Sequence, residues 1–289
     1  MDIRAILMGL VFALMWSSAF TSARMIVADA PPLTALALRY LISGLIGVTV
    51  ARILGQSWRI TGRQWRALAL FGICQNALYL GLNFVAMQTI EASLAAIIAS
   101  TMPLMVAVAG WMFLGEQLRP ISVAGLLAGV VGVAIIMGGR LNGGIDLFGV
   151  GLCVAGAVAL TVATLVVRDA SSGGNFLMIV GLQMLVGSAA LTIAAVSLET
   201  WQVNWTWRLG AAFTYTTLVP GLAATWIWFT LVNRIGAVRA AVFHFLTPFL
   251  GVAVAAVLLG EKLGIMDVLG VAIITGGIMA VQRSKQKPS

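Results

Sequence analysis

Gln75, Asn76, Tyr79 and Asn83 sit in an otherwise apolar stretch, and at 3.6 residues per turn they fall within about 100° of arc, with Gly72 on the same side. Amides and a phenol on one face can bind an ammonium and a carboxylate, and Tyr79 adds an aromatic surface. The same residue types also tie neighbouring membrane helices together. In either case the stripe must face protein or a water-filled cavity, because each polar group turned to lipid costs free energy.

Other residues extend this binding chemistry. Arg39 stands about six positions into an apolar segment, about 9 Å deep at 1.5 Å per residue, where a guanidinium costs about 2.5 kcal/mol or less when it can snorkel outward. It can hold a substrate carboxylate, tie helix ends together or pair with Asp29; its counterpart in the repeat described below is Gln183, which carries no charge. His244 is the only histidine, one turn before Pro248. Its imidazole can carry a coupled proton near neutral pH or serve as a hydrogen-bonded structural group.

Trp16 lies in mid-span, away from an interfacial aromatic belt, with Phe20 beside it and Ser17, Thr21 and Arg24 on one face. Ser100, Thr161 and Trp228 complete the candidate cavity residues, with Thr164 near Thr161 and Trp226 near Trp228. Serine and threonine are equally ordinary packing residues in such helices. Pro103 and Pro248 interrupt helical hydrogen bonding at matching places and are expected to kink their helices, which makes them candidate gates.

Catalysis has no support in these residues. There is no His-Glu-x-x-His metal motif, no Gly-x-Ser-x-Gly elbow and no intramembrane Asp pair, so an intramembrane enzyme is a remote alternative. Cys74 and Cys153 both fall inside apolar spans, so neither a disulfide nor a thiolate metal site is expected, and no cofactor is implied. The net charge of +8 does not form the clustered basic face with stacking aromatics that nucleic-acid binding requires.

The elements that position these groups follow from composition. The 289 residues are 61% hydrophobic and 9% charged, with mean hydropathy +1.05, whereas soluble domains carry about 25% charged residues. A helix crosses the hydrocarbon core with about 20 apolar residues. Ten such segments are expected, at 3–25, 33–54, 67–87, 92–114, 121–137, 147–167, 176–196, 209–232, 237–259 and 265–281. Beta-barrel strands alternate at about ten residues, and these segments are apolar all round. The fold class is an all-α integral membrane protein whose environment is the lipid bilayer, and nothing in the sequence demands an oligomer.

The chain also repeats itself. At a spacing of 145, Ala92, Ala95, Ala96, Pro103, Leu114, Gly115, Glu116 and Leu118 return as Ala237, Ala240, Ala241, Pro248, Leu259, Gly260, Glu261 and Leu263. Val123, Gly125 and Gly132 likewise return as Val268, Gly270 and Gly277. Two five-segment copies, 1–140 and 141–289, make the second enter the membrane from the opposite side. Such inverted repeats mark secondary transporters, with a midplane site exposed alternately to each side. Glu116 and Glu261 at the membrane edge are expected to cap the following helix or pair with Arg119 and Lys262.

Twelve of the 17 Lys and Arg residues fall on one side if both termini are cytoplasmic, among them Arg52, Arg59, Arg63, Arg66, Arg283 and Lys285. Trp201, Trp205 and Trp207 then read as outer interfacial anchors. The first segment carries one preceding Arg and no small-residue cleavage pattern, and is read as a retained helix.

Trp16-Ser17-Ser18-Ala19-Phe20, Leu38-Arg39-Tyr40-Leu41, the two Pro-to-Leu-Gly-Glu helices and the Gly-rich helices after them resemble the drug/metabolite transporter superfamily, EamA type. Phe243-His244-Phe245-Leu246-Thr247-Pro248-Phe249 and the first-helix wording look most like its YddG-type exporters of aromatic and other amino acids. Ser17 departs from the family, which often has Gly there. The resemblance implies export of an amino acid or small metabolite across a bacterial inner membrane by alternating access. Multidrug or nucleoside export within the same superfamily is the alternative.

Overall fold

The computed structural model describes residues 3–141, 144–167, 175–235 and 241–286, and all regular structure among them is helical. The helices are α1 (Ile3–Val27), α2 (Pro32–Ile53), α3 (Gly62–Phe71), α4 (Leu80–Ala86), α5 (Ala92–Ser100), α6 (Met102–Leu114), α7 (Pro120–Leu141), α8 (Leu147–Val167), α9 (Phe176–Leu198), α10 (Trp207–Leu218), α11 (Ala224–Ile235), α12 (Thr247–Leu259) and α13 (Ile265–Gln286). A π-helical stretch, Gly72–Tyr79, joins α3 to α4, and a second π turn, Val219–Ala223, joins α10 to α11. A 3₁₀ turn, Ala241–Leu246, leads into α12.

Among the described residues, eight continuous helical stretches are long and apolar enough to cross a membrane, and α12 is a shorter apolar helix. The expected third segment starts earlier than residue 67, because Thr61 and Gln64 form a reciprocal capping box that begins the helix at Gly62. The eighth, 209–232, runs without a break through a π turn that contains Pro220, which cannot donate to the backbone ladder. The first residues of the ninth, 237–240, lie outside the described residues.

Two compact units emerge, and they divide the chain differently from the sequence repeats, each drawing helices from both copies. One comprises Met1–Thr21, Thr89–Val150 and Ala223–Ser289; the other comprises Ser22–Gln88 and Gly151–Leu222.

In the first unit α7 packs along α13, its own repeat copy. A methyl group on Gly125 would lie 2.5 Å from the Gly277 carbonyl oxygen, and one on Gly132 would lie 2.8 Å from that of Gly270. Since Gly270 and Gly277 are the copies of Gly125 and Gly132, the contacts are exchanged between the copies, and the two helices run antiparallel. That is the local geometry expected of an inverted repeat. Gly251 of α12 approaches Ala96 of α5 in the same close manner.

The second unit is built around α2 and α9, which are also repeat copies and also run antiparallel. Gly44 lies against the Gly181 carbonyl, and the Ser188 hydroxyl donates to the Ala37 carbonyl oxygen at 2.8 Å. These contacts correspond at a spacing of 144, the spacing that also aligns Arg39 with Gln183.

Carboxylates and amides remote in sequence close the helix ends. Glu199, just beyond α9, accepts from the Leu33 and Thr34 amides at 2.7 and 2.8 Å and from the Thr34 hydroxyl at 2.8 Å, capping α2. At the other end Gln56 accepts from the Met178 amide at 3.0 Å and caps α9. Glu261 does the same in the first unit, accepting from the Ala92 and Ser93 amides at 2.8 and 3.0 Å. The Leu-Gly-Glu text thus has a physical meaning: Gly115 and Gly260 take left-handed φ of +66° and +68° to end α6 and α12, and Glu261 caps a helix. That helix is α5, far back in the chain, not the helix that follows.

Glu261→Ala is expected to destabilise the folded protein by about 1–2 kcal/mol, with Glu261→Gln recovering part of the loss, as measured by melting in detergent. Outside the spans, Asp146 accepts from the Thr89 hydroxyl at 2.5 Å and from the Phe148 amide at 3.0 Å. The Thr89 hydrogen bond, more than any other group, holds the Asp146 carboxyl below its ordinary 3.8. This tie is therefore complete above that value and is lost as pH falls through the lowered folded value. Thr89→Ala should move the NMR titration of Asp146 back upward; an unmoved titration would show that Thr89 does not set it.

Candidate functional site

Polar and aromatic groups inside the helices collect in two places, one in each unit. In the first unit α1 contributes Phe12 and Trp16, α11 contributes Trp228, and the 3₁₀ turn contributes His244. The His244 ring meets Phe12, Trp16 and Trp228 at centroid separations of 5.1, 6.0 and 4.8 Å, all edge-on. Phe12 also packs against Trp16 at 5.7 Å and Trp228 at 4.9 Å. Offset and edge-to-face geometry is the favoured arrangement for π systems and adds about 0.5–1.5 kcal/mol per pair beyond area burial. Phe12 is buried, whereas Trp16, Trp228 and His244 are half-buried. The result is a cluster of four mutually packed rings, the ring box, with Phe12 as its buried member.

Trp16, Trp228 and His244 are thus brought together as sequence candidates. Phe12, the fourth ring, was not among them, although its position one helical turn before Trp16 was a readable signal. Among the described residues no hydrogen-bond partner meets the His244 ring nitrogens. Trp226 is 68% exposed and faces away from the packed interior.

Neighbouring candidates take structural roles. The Ser17 hydroxyl donates to the Ala13 carbonyl at 2.6 Å and Ser100 to Ile97 at 2.6 Å, both local backbone bonds within their helices. Pro103 occupies the first turn of α6, after a break at Thr101, and Pro248 occupies the first turn of α12. Both prolines therefore begin a helix where they spoil no ladder bond.

The polar stripe expected along the third segment is rearranged in the second unit. Because Gly72–Tyr79 is π-helical, its wider turn rotates successive side chains away from their α-helical positions. Asn76 turns to α9 and its amide donates to the Gln183 carbonyl at 3.0 Å. Asn83 donates to the Tyr79 carbonyl at 2.8 Å and accepts from the Cys153 thiol at 3.3 Å. Both amides are buried in helix-to-helix and local ties, Tyr79 is buried, and Gln75 is half-buried. Gly72 makes the approach of α9 possible, since a methyl group there would lie 2.6 Å from the Gln183 carbonyl oxygen. Thr161 donates to its own helix at Ala157, 2.9 Å away.

Arg39 occupies the position on α2 equivalent to Gln183 on α9. It is 7% exposed, its guanidinium lies 5.2 Å from the Tyr40 ring centroid, and its Nε has no hydrogen-bond partner. Ser43, one turn further along α2, is 1% exposed and its hydroxyl is likewise unpartnered. Asp29 is turned elsewhere: its carboxylate accepts from the Thr206 hydroxyl at 2.7 Å. Arg24 donates to the Met87 carbonyl and so ties helix ends. Among the described residues, no group of three or more His, Cys, Asp or Glu is placed to hold a metal ion.

Duplicated apolar helices, antiparallel packing of α7 on α13 and of α2 on α9, and polar and aromatic groups held inside the spans define a multi-pass membrane protein of the duplicated transporter class. The chain belongs to the EamA-like transporter family, whose model matches it twice, over residues 3–138 and 147–282.

It is 27% identical over 280 residues to the uncharacterized transporter YvbV of Bacillus subtilis (strain 168), covering 96% of this chain and 91% of that protein. It is also 28% identical over 139 residues to the aromatic amino acid exporter YddG of Ancylobacter novellus, covering 48% of each chain. A crystal structure covering 99% of this chain and covered in full shares its fold, with a TM-score of 0.69 at 22% identity.

Proposed function

We propose that this protein exports amino acids, aromatic ones foremost, and related small metabolites across a bacterial inner membrane by alternating access. In this reading ten helices span the bilayer in two inverted five-helix repeats, 1–140 and 141–289, with both termini cytoplasmic. The observation that carries it is the ring box of Phe12, Trp16, Trp228 and His244, which offers a flat apolar side chain stacking surfaces inside the membrane. The partial similarity to an aromatic amino acid exporter supports the same substrate class.

His244, the only histidine of the sequence, is assigned the proton-coupling role, because it stands in the same ring cluster as the proposed aromatic site. The helix breaks before Pro103 and Pro248 act as the gates, since interrupted helices at matching places in the two copies permit the rocking that alternating access needs. Overproduction in a bacterial strain should raise resistance to inhibitory aromatic amino-acid analogues and speed efflux of the parent amino acids. Unchanged resistance and efflux across a broad panel would remove the amino-acid assignment.

The same box equally suits flat drugs or nucleosides. Dye and nucleoside efflux in the same strain, without amino-acid efflux, would favour that second reading.

A further inference from the structure

Arg39 is a buried cation with no counterion beside it among the described residues. The second unit holds two carboxylates among its described residues, Asp29 and Glu199. Asp29 accepts from Thr206, and both oxygens of Glu199 are committed to the first turn of α2. A guanidinium out of water with no anion beside it is strongly unfavourable, and a chain retains one where an anion arrives from elsewhere.

The surroundings fit such an arrival. Arg39 Nε and Ser43 Oγ are both unpartnered, both belong to side chains more than nine-tenths buried, and both stand on one face of α2. Across from them the chain makes its second π turn, with Gly221 in it. A methyl group on Gly221 would lie 3.1 Å from the Thr216 carbonyl oxygen, 3.4 Å from Arg39 Nη2 and 3.7 Å from Ser43 Oγ, so the glycine keeps a side chain from filling the place next to both donors. A guanidinium takes a carboxylate side-on through Nε and Nη, and a hydroxyl one turn away can donate to the second oxygen. At the equivalent place in the other copy Gln183 stands in for Arg39 and carries no charge, so that side of the duplication offers a carboxylate no cation.

We propose that Arg39, with Ser43 and the π turn at Gly221, is the binding site for the carboxylate of the transported molecule, which makes the cargo carboxylate-bearing, not merely aromatic. This rests on the export reading above and deepens it.

Tryptophan and tryptamine, which share a ring and an amine and differ by the carboxylate, provide the test. In proteoliposomes of the full chain the wild type should carry tryptophan at least about tenfold better than tryptamine. Arg39→Gln should bring the two to parity, and Ser43→Ala should narrow the ratio about threefold. A folded Arg39→Gln protein that keeps the wild-type ratio overturns the proposal. If Arg39→Gln does not fold, Arg39→Lys and Ser43→Ala decide it by the same ratio.

If the wild type carries neither compound, the amino-acid reading has failed, and the carboxylate site is judged separately. Benzoate and indole-3-acetate should then raise the melting temperature of the wild type, and Ser43→Ala or an Arg39 variant should diminish the shift, with inorganic phosphate ineffective. Stabilisation by phosphate alone, or by carboxylates equally in every variant, overturns it.

Discussion

Gly277→Leu is expected to destabilise the folded protein strongly. In the native packing the backbone of α7 at Gly125 lies against α13 at Gly277, and a Cβ at Gly277 would also meet the Gly129 amide nitrogen at 3.1 Å. Backbone cannot rotate out of the way as a side chain can, so the helices must separate along their longest mutual contact. Overpacking of this kind costs about 3 kcal/mol, and the glycine contact at Gly132 and Gly270 would be lost with it. The matched control is Gly138→Ala, where an added Cβ meets nothing within 4 Å. Melting of the detergent-solubilised protein should show a large loss for the first variant and little change for the second; equal melting would remove the glycine contact as a source of stability.

The second large effect concerns the ring box. Trp228→Ala removes a ring packed against both Phe12 and His244 and should lower kcat/KM for aromatic substrates at least about tenfold, whereas Trp228→Phe should stay within about threefold. His244→Phe keeps the edge-on packing and removes the titrating nitrogens. It should therefore preserve exchange of substrate for substrate and abolish accumulation driven by a pH gradient. Retained pH-driven accumulation would assign the proton to another group and leave His244 a packing role.

Much of the architecture is legible in the sequence because apolar length and duplication are properties of the chain alone. The repeat of Gly125 and Gly132 as Gly270 and Gly277 marks the helix pair that packs most closely, and the Leu-Gly-Glu text marks two helix ends. The π-helical stretch at Gly72–Tyr79 was not legible. No residue type encodes an i to i+5 ladder, and the approach of α9 over Gly72 that accompanies it is a tertiary event. With the wider turn, Asn76 and Asn83 leave the continuous stripe that α-helical spacing implies and become ties.

Long-range capping was equally hidden. Glu199 and Glu261 find their partners 166 and 169 residues away, and neither has a nearby sequence signal. For Arg39 the sequence offered Asp29 as a partner; the structure gives Asp29 to Thr206 and leaves Arg39 beside Ser43 and Gly221. The most informative feature of the candidate site was thus visible as a residue type, while its isolation required coordinates.

Counterflow in proteoliposomes of the purified protein tests the central claim most directly. Vesicles loaded with one unlabelled amino acid at a time are supplied with labelled substrate outside. Transient accumulation of label, strongest for aromatic amino acids, is the predicted result, because only a carrier that alternates with substrate bound couples the two fluxes. Folded protein that shows no accumulation for any amino acid, or label that equilibrates at the same rate with and without internal substrate, would contradict it.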